Sequence, residues 1–148
     1  MTKDNTVKIM QSIQSELKAP KGQTNKFGGY SYRSAEDILE AVKPLLNKYN
    51  CFLTVSDEVV EVGGRVYVKS TSTVTESHGD TVSAASAYAR EAETKKGMDD
   101  AQITGSASSY ARKYSLNGLF AIDDTKDADA TNKHGKGKSL PVVTTTEF

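Results

Sequence analysis

Arg112 and Lys113 stand side by side in GSASSYARKYSL, residues 105–116, among serines, alanines and a glycine. Two adjacent cations on a surface of small side chains suit one chemistry. They can give charge-assisted hydrogen bonds to a polyanion backbone, with serine hydroxyls bonding beside them. The same pair also fits an ordinary solvated helix face, since short basic pairs are common there. A second group lies in KGQTNKFGGYSYR, where Lys26, Tyr30, Tyr32 and Arg33 surround the pair Gly28-Gly29. A tyrosine ring can stack on an unpaired base of any sequence. Tyr32 is equally suited to packing beside the helix that follows.

Other constellations carry less. GKGKS, residues 135–139, lacks the earlier glycine of a phosphate-binding loop, having Asn132 in its place, and Pro141 stands where the helix should begin. Asp123, Asp124, Asp127 and Asp129 lack the glycine and distal glutamate of a calcium loop. They read as a solvated acidic exit, leaving no metal and no cofactor expected. Cys51 is the single cysteine, so neither a disulfide within the chain nor a cysteine metal cluster is available. His78 and His134 are far from it in sequence, and no Cys/His dyad is indicated.

The elements that must position these groups are legible from periodicity. The 148 residues suffice for one domain. Val7, Met10, Ile13 and Leu17 form one helical stripe, capped at Asn5 or Thr6 and stopped by Pro20 and Gly22. Ser34 with Asp37 three residues on announces a second helix, burying Ile38, Leu39, Val42, Leu45, Leu46 and Tyr49. Pro44 inside it predicts a kink or break near Lys43. From Cys51 the period becomes two, with Gly63-Gly64 and SHGD as turns, giving three or four antiparallel strands. Val66, Val68 and Val74 should face the core, and Arg65, Tyr67 and Lys69 the solvent. After the charged loop ETKKGMDDAQ, Asp99 or Asp100 caps a helix running to about Ser115, and LFAI returns to the core. That helix places Ile103, Ala107, Tyr110, Ala111 and Tyr114 in an apolar sector. Ser108, Ser109, Arg112, Lys113 and Leu116 fall mostly on the other side. The fold class is therefore α+β, an antiparallel hairpin sheet packed with helices, in a domain of residues 1–124 followed by a flexible polar tail, 125–148.

Charge and hydropathy exclude some classes. With 19 basic and 19 acidic residues, bulk charge cannot attract nucleic acid, although a local basic surface can. The N-terminus lacks the apolar core of a signal peptide, and no run approaches spanning length, so a soluble intracellular protein with no membrane partner is expected.

GSASSYARKYSLNGLF and YSYRSAEDILEAVKPLLNKY, together with the AIDDTKDAD that closes the first, resemble the motifs of the ERF family of bacteriophage single-strand annealing proteins. The resemblance runs from about residue 5 to residue 129. It implies a non-enzymatic protein of the bacterial host's cytoplasm that binds single-stranded DNA, assembles into homo-oligomeric rings or filaments and pairs complementary strands without hydrolysing a nucleotide. A host single-strand binding protein is a candidate partner. Residue by residue, the resemblance assigns DNA contacts to Arg112 and Lys113, and to Tyr30, Tyr32 and Arg33. Lys26, Arg65, Lys69, Arg90, Lys95 and Lys96 are weaker candidates from charge and position. Two alternatives stay open on the residues alone: a metal-dependent nuclease using the aspartates, and a protein-interaction module that binds no DNA.

Overall fold

The structure, a computed structural model, describes residues 3–94 and 97–123. The tail expected after residue 124 lies outside them, as do Lys95 and Lys96. Three helices and five strands follow in the order α1 (Lys3–Glu16), β1 (Gln23–Asn25), β2 (Tyr30–Tyr32), α2 (Ala35–Lys48), β3 (Cys51–Val62), β4 (Arg65–Glu76), β5 (Thr81–Arg90) and α3 (Asp100–Phe120). The fold is α+β, with antiparallel sheets of two and three strands. No helix among the described residues is long and apolar enough to cross a membrane.

The larger sheet, in the order β3-β4-β5, is a meander. Gly63 and Gly64 both have positive φ, 59° and 78°, as a two-residue hairpin turn between long, twisted strands requires. Along β4, Val68, Ser70, Ser72, Val74 and Glu76 are buried, while the alternate residues lie on the other face. Among the described residues only the buried face is covered. α3 crosses it, and α1 and α2 close the end nearer Val74.

The core accordingly has two parts. Met10, Ile13 and Leu17 of α1 or its end, Ile38, Val42 and Leu46 of α2, Val74, and Leu116, Leu119 and Phe120 of α3 form the larger cluster. Val68, Ala107 and Ala111, with Ala89 beside them, form the smaller one, under α3 alone. Small residues let α3 approach the sheet closely. At the centre of the contact Ser72 Oγ lies 2.7 Å from Ser115 Oγ, with Ser70 Oγ 3.5 Å away. The seam is polar yet hydrogen-bonded, so its burial carries little penalty.

Several sequence expectations change. α1 reaches back to Lys3, so Asn5 and Thr6 lie inside it, and Val7 at the head of its stripe is exposed. The segment read as merely polar is a hairpin, β1–β2. α2 begins with the expected capping box, in which Ser34 N donates to Asp37 and Asp37 N to Ser34 Oγ. It runs unbroken through Pro44, which lies on its exposed side. There the Glu40 carbonyl left without a proline N–H can turn to water. α3 continues five residues past Ser115 and includes the first residues of the LFAI run.

The largest correction concerns which side of α3 is buried. Leu116, assigned to the polar sector, is fully buried, whereas Tyr110 and Tyr114 are 54% and 49% exposed. The first half of α3 packs on the sheet, with Thr104 also donating to Glu91 just past β5, and its second half is also covered by α1 and α2. The buried sector therefore rotates along the helix, and one wheel cannot describe both halves. Leu116→Ala is expected to lower unfolding stability by about 2–5 kcal/mol, and Tyr114→Ala by less than about 1 kcal/mol. Urea denaturation of both variants checks this; equal losses would contradict the rotation.

Candidate nucleic-acid interface

The cations singled out from sequence do not share one groove. Arg112 does not stand free on α3. Its Nε lies 3.3 Å from both carboxylate oxygens of Asp57 on β3, and Ser108 Oγ donates to the same carboxylate. Partial burial pushes the Asp57 carboxyl upward, but the hydrogen bonds from Ser108 and Arg112 and the guanidinium charge outweigh it. The result lies below the ordinary 3.8. Arg112 therefore joins α3 to the edge of the sheet. The guanidinium expected to project from a low surface is held by a carboxylate of its own chain.

Arg33 is likewise turned inward, its Nε donating to the Ala19 carbonyl at 2.9 Å and tying the α1–β1 connection to the start of α2. Lys113 Nζ lies 5.6 Å from the centre of the Tyr32 ring, and the Tyr30 and Tyr32 rings are 6.1 Å apart. The β1–β2 turn is fixed locally. Asn25 Oδ1 accepts from Phe27 N and Gly28 N, and Asn25 Nδ2 donates to the Tyr30 hydroxyl. A Cβ on Gly28 would stand 2.3 Å from the Tyr30 ring, so only glycine allows this approach. Lys26 and Phe27 at the tip are exposed. The structure thus brings Tyr30, Tyr32 and Lys113 into one small cluster, with Lys26 on the adjoining turn, and holds Arg33 and Arg112 against partners elsewhere.

The remaining candidates gather elsewhere. Strand alternation sets Arg65 and Lys69 on the uncovered face of the sheet, opposite to α3. The β4–β5 register pairs Tyr67 with Arg90 and Lys69 with Tyr88. Lys69 Nζ lies 5.8 Å from the centre of the exposed Tyr88 ring, a cation–π distance. Glu58, the β3 partner of Lys69 in register, is the carboxylate in this row. Thr71 and Ser86 continue the face, their hydroxyls 2.8 Å apart. Three cations and two aromatics therefore occupy one end of this open surface. Tyr67 and Tyr88 were not singled out as contacts from sequence. Their positions on the wet face, two residues apart from Arg65, Lys69 and Arg90 along the strands, were the available signal.

Among the described residues no group of three or more His, Cys, Asp and Glu side chains is placed to hold a metal ion; Asp124, Asp127 and Asp129 lie outside them.

A family model described as the ERF superfamily matches residues 7–146. The chain belongs to the ERF superfamily. It is 56% identical over 136 residues to the Essential recombination function protein of Salmonella phage P22, an alignment covering 92% of this chain and 64% of that protein. This ERF chain thus spans just under two thirds of the relative's length. No solved structure matches it. The family match runs on through the segment read as a tail, and both motifs quoted from the sequence fall inside it.

The Asp57–Arg112 pair is half open, its side chains 25% and 43% exposed, so its contribution is modest. Because folding lowers the Asp57 pKa, the stabilisation is present above the unfolded value and lost as pH falls through the folded one. A double-mutant cycle of Asp57→Asn and Arg112→Gln should give a coupling of about 0.2–1 kcal/mol at pH 7. It should vanish once the pH is well below 3.8. A coupling independent of pH would contradict the assignment.

Proposed function

We propose that this ERF chain binds single-stranded DNA and promotes annealing of complementary strands in phage recombination, without nucleotide hydrolysis. The observation that carries the reading is the basic and aromatic end of the uncovered sheet face: Arg65, Tyr67, Lys69, Tyr88 and Arg90. An open antiparallel sheet offers a flat surface on which aromatic side chains can meet bases while flanking cations meet phosphates. The name of the phage P22 relative supports the recombination role.

The mechanism follows from electrostatics. Two anionic strands repel each other, and Arg65, Lys69 and Arg90 reduce that repulsion by neutralising phosphates, releasing counterions as they do so. The face is open, so a strand lying on it stays accessible to its complement. Lys26, Lys113, Tyr30 and Tyr32 form a second patch along which a strand can continue. Arg112 contributes by fixing α3 against β3.

Self-association belongs to the same proposal. β3 and β5 are edge strands of the larger sheet among the described residues, and Phe27 is fully exposed on a hydrogen-bonded turn. A homo-oligomer lengthens the cationic path beyond what one chain provides. This gives a net-neutral chain a means of holding a polyanion, since many small basic patches act in series.

The test is an annealing assay with complementary fluorescent oligonucleotides in the absence of nucleotide, together with titration of one strand at several salt concentrations. Annealing is expected without ATP. Lys69→Ala and Arg65→Ala should each weaken binding and reduce the slope of log K against log salt by about 0.7 for each phosphate no longer neutralised. Arg112→Gln should leave that slope unchanged. Full affinity and slope in the Arg65/Lys69 double variant would overturn the placement, and failure to bind any single-stranded oligonucleotide would overturn the function.

A further inference from the structure

Beside the sheet face lies a groove that the proposed binding surface leaves unused. It runs between β5 and the first half of α3, has a volume of about 500 Å³, and opens to solvent. Arg90 and Met98 line one side; Ile103, Ser106, Tyr110 and Tyr114 line the other. No carboxylate is among its described lining residues, and Arg90 is the charged residue among them.

The two tyrosines are one turn apart on α3. Their ring centres are 6.2 Å apart and their planes 24° from parallel, so they form a near-stacked pair. Both are about half exposed, at 54% and 49%. An aromatic ring left in water forgoes the stabilisation of burying its apolar surface. Here two such rings share one orientation at the rim of a groove that neither fills. A cleft of mixed polar and apolar lining, with a stacked pair of rings on one wall and Arg90 at its edge, complements a ligand that is flat on its faces and anionic along its backbone.

We propose that this groove holds unpaired nucleobases, stacked against Tyr110 and Tyr114, while Arg90 neutralises the phosphate where the strand passes from the outer sheet face over the β5 edge. The inference rests on the single-stranded DNA reading and deepens it by naming what the groove takes. Arg90 joins the two regions, as the register partner of Tyr67 on the sheet and as a wall of the groove. Stacking engages the face of a base and leaves its pairing edge unused, so a base held this way remains competent to meet a complement. It is also indifferent to sequence, because every base has a π-face.

The experiment uses the full chain and two fluorescent 20-mers of equal charge, oligo-dT and an abasic deoxyribose-phosphate strand. Wild-type protein is expected to bind oligo-dT about tenfold or more tightly than the abasic strand. The Tyr110→Ala/Tyr114→Ala double variant should lose most of that ratio while keeping the salt dependence of abasic binding. Tyr110→Phe/Tyr114→Phe should retain the ratio, which separates the ring from the hydroxyl. As a readout independent of any substitution, a 2-aminopurine base in the oligonucleotide should be quenched on binding wild-type protein. Equal affinity of wild-type protein for the two strands, or an alanine variant that keeps the full ratio, would overturn the groove assignment and leave the DNA-binding reading standing. Absence of binding to either strand would remove that reading and the groove assignment together.

Discussion

The close contact between α3 and β4 sets the rest of the architecture. Ala107, Ala111 and Ser115 meet Val68, Ser70 and Ser72, and Ser115 partners both Ser72 and Ser70 inside the seam. Larger residues at these positions would push the helix off the sheet, because packed interiors have no spare volume. An unpaired hydroxyl would cost about 1–3 kcal/mol. The tight seam makes one face of the sheet a core, and among the described residues nothing covers the other. It also accounts for the small residues Ala107, Ala111 and Ser115, which serve the approach of helix to sheet.

From that seam the division of the surface follows. α1 and α2 cap only the second half of α3, where Leu116, Leu119 and Phe120 join Met10, Ile13, Ile38 and Val42. Beyond their reach, the first half of α3 overhangs beside β5, and Tyr110 and Tyr114 remain in solvent. The cations sort by a similar logic. Those within reach of partners in their own chain, Arg112 at Asp57 and Arg33 at the Ala19 carbonyl, brace the fold. Those placed outward by strand alternation, Arg65, Lys69 and Arg90, lie on the face opposite to α3. A chain with no net charge can thus carry a concentrated positive surface.

Much of this was legible in the sequence, for identifiable reasons. The Ser34–Asp37 capping box, the Gly63-Gly64 turn and the change of period at Cys51 are local signals, and each produced the element it announced. The orientation of β4 followed from its alternation. What was hidden depended on neighbours distant in sequence. The buried sector of α3 rotates because α1, about a hundred residues away, covers one half of it. The Asp57–Arg112 pair spans 55 positions and no spacing rule anticipates it. The β1–β2 hairpin has strands of three residues, too short for periodicity to register. The cluster of Lys69 with Tyr88 needed the strand register before its members could be placed together.

Photo-crosslinking of the intact protein to single-stranded DNA, with the attached peptides mapped by mass spectrometry, tests the open sheet face most directly. Crosslinks are predicted at Tyr67 and Tyr88 on that face and at Tyr110 and Tyr114 beside it. A map confined to the β1–β2 hairpin and the Arg112 side of α3, with the sheet face unmodified, would contradict it.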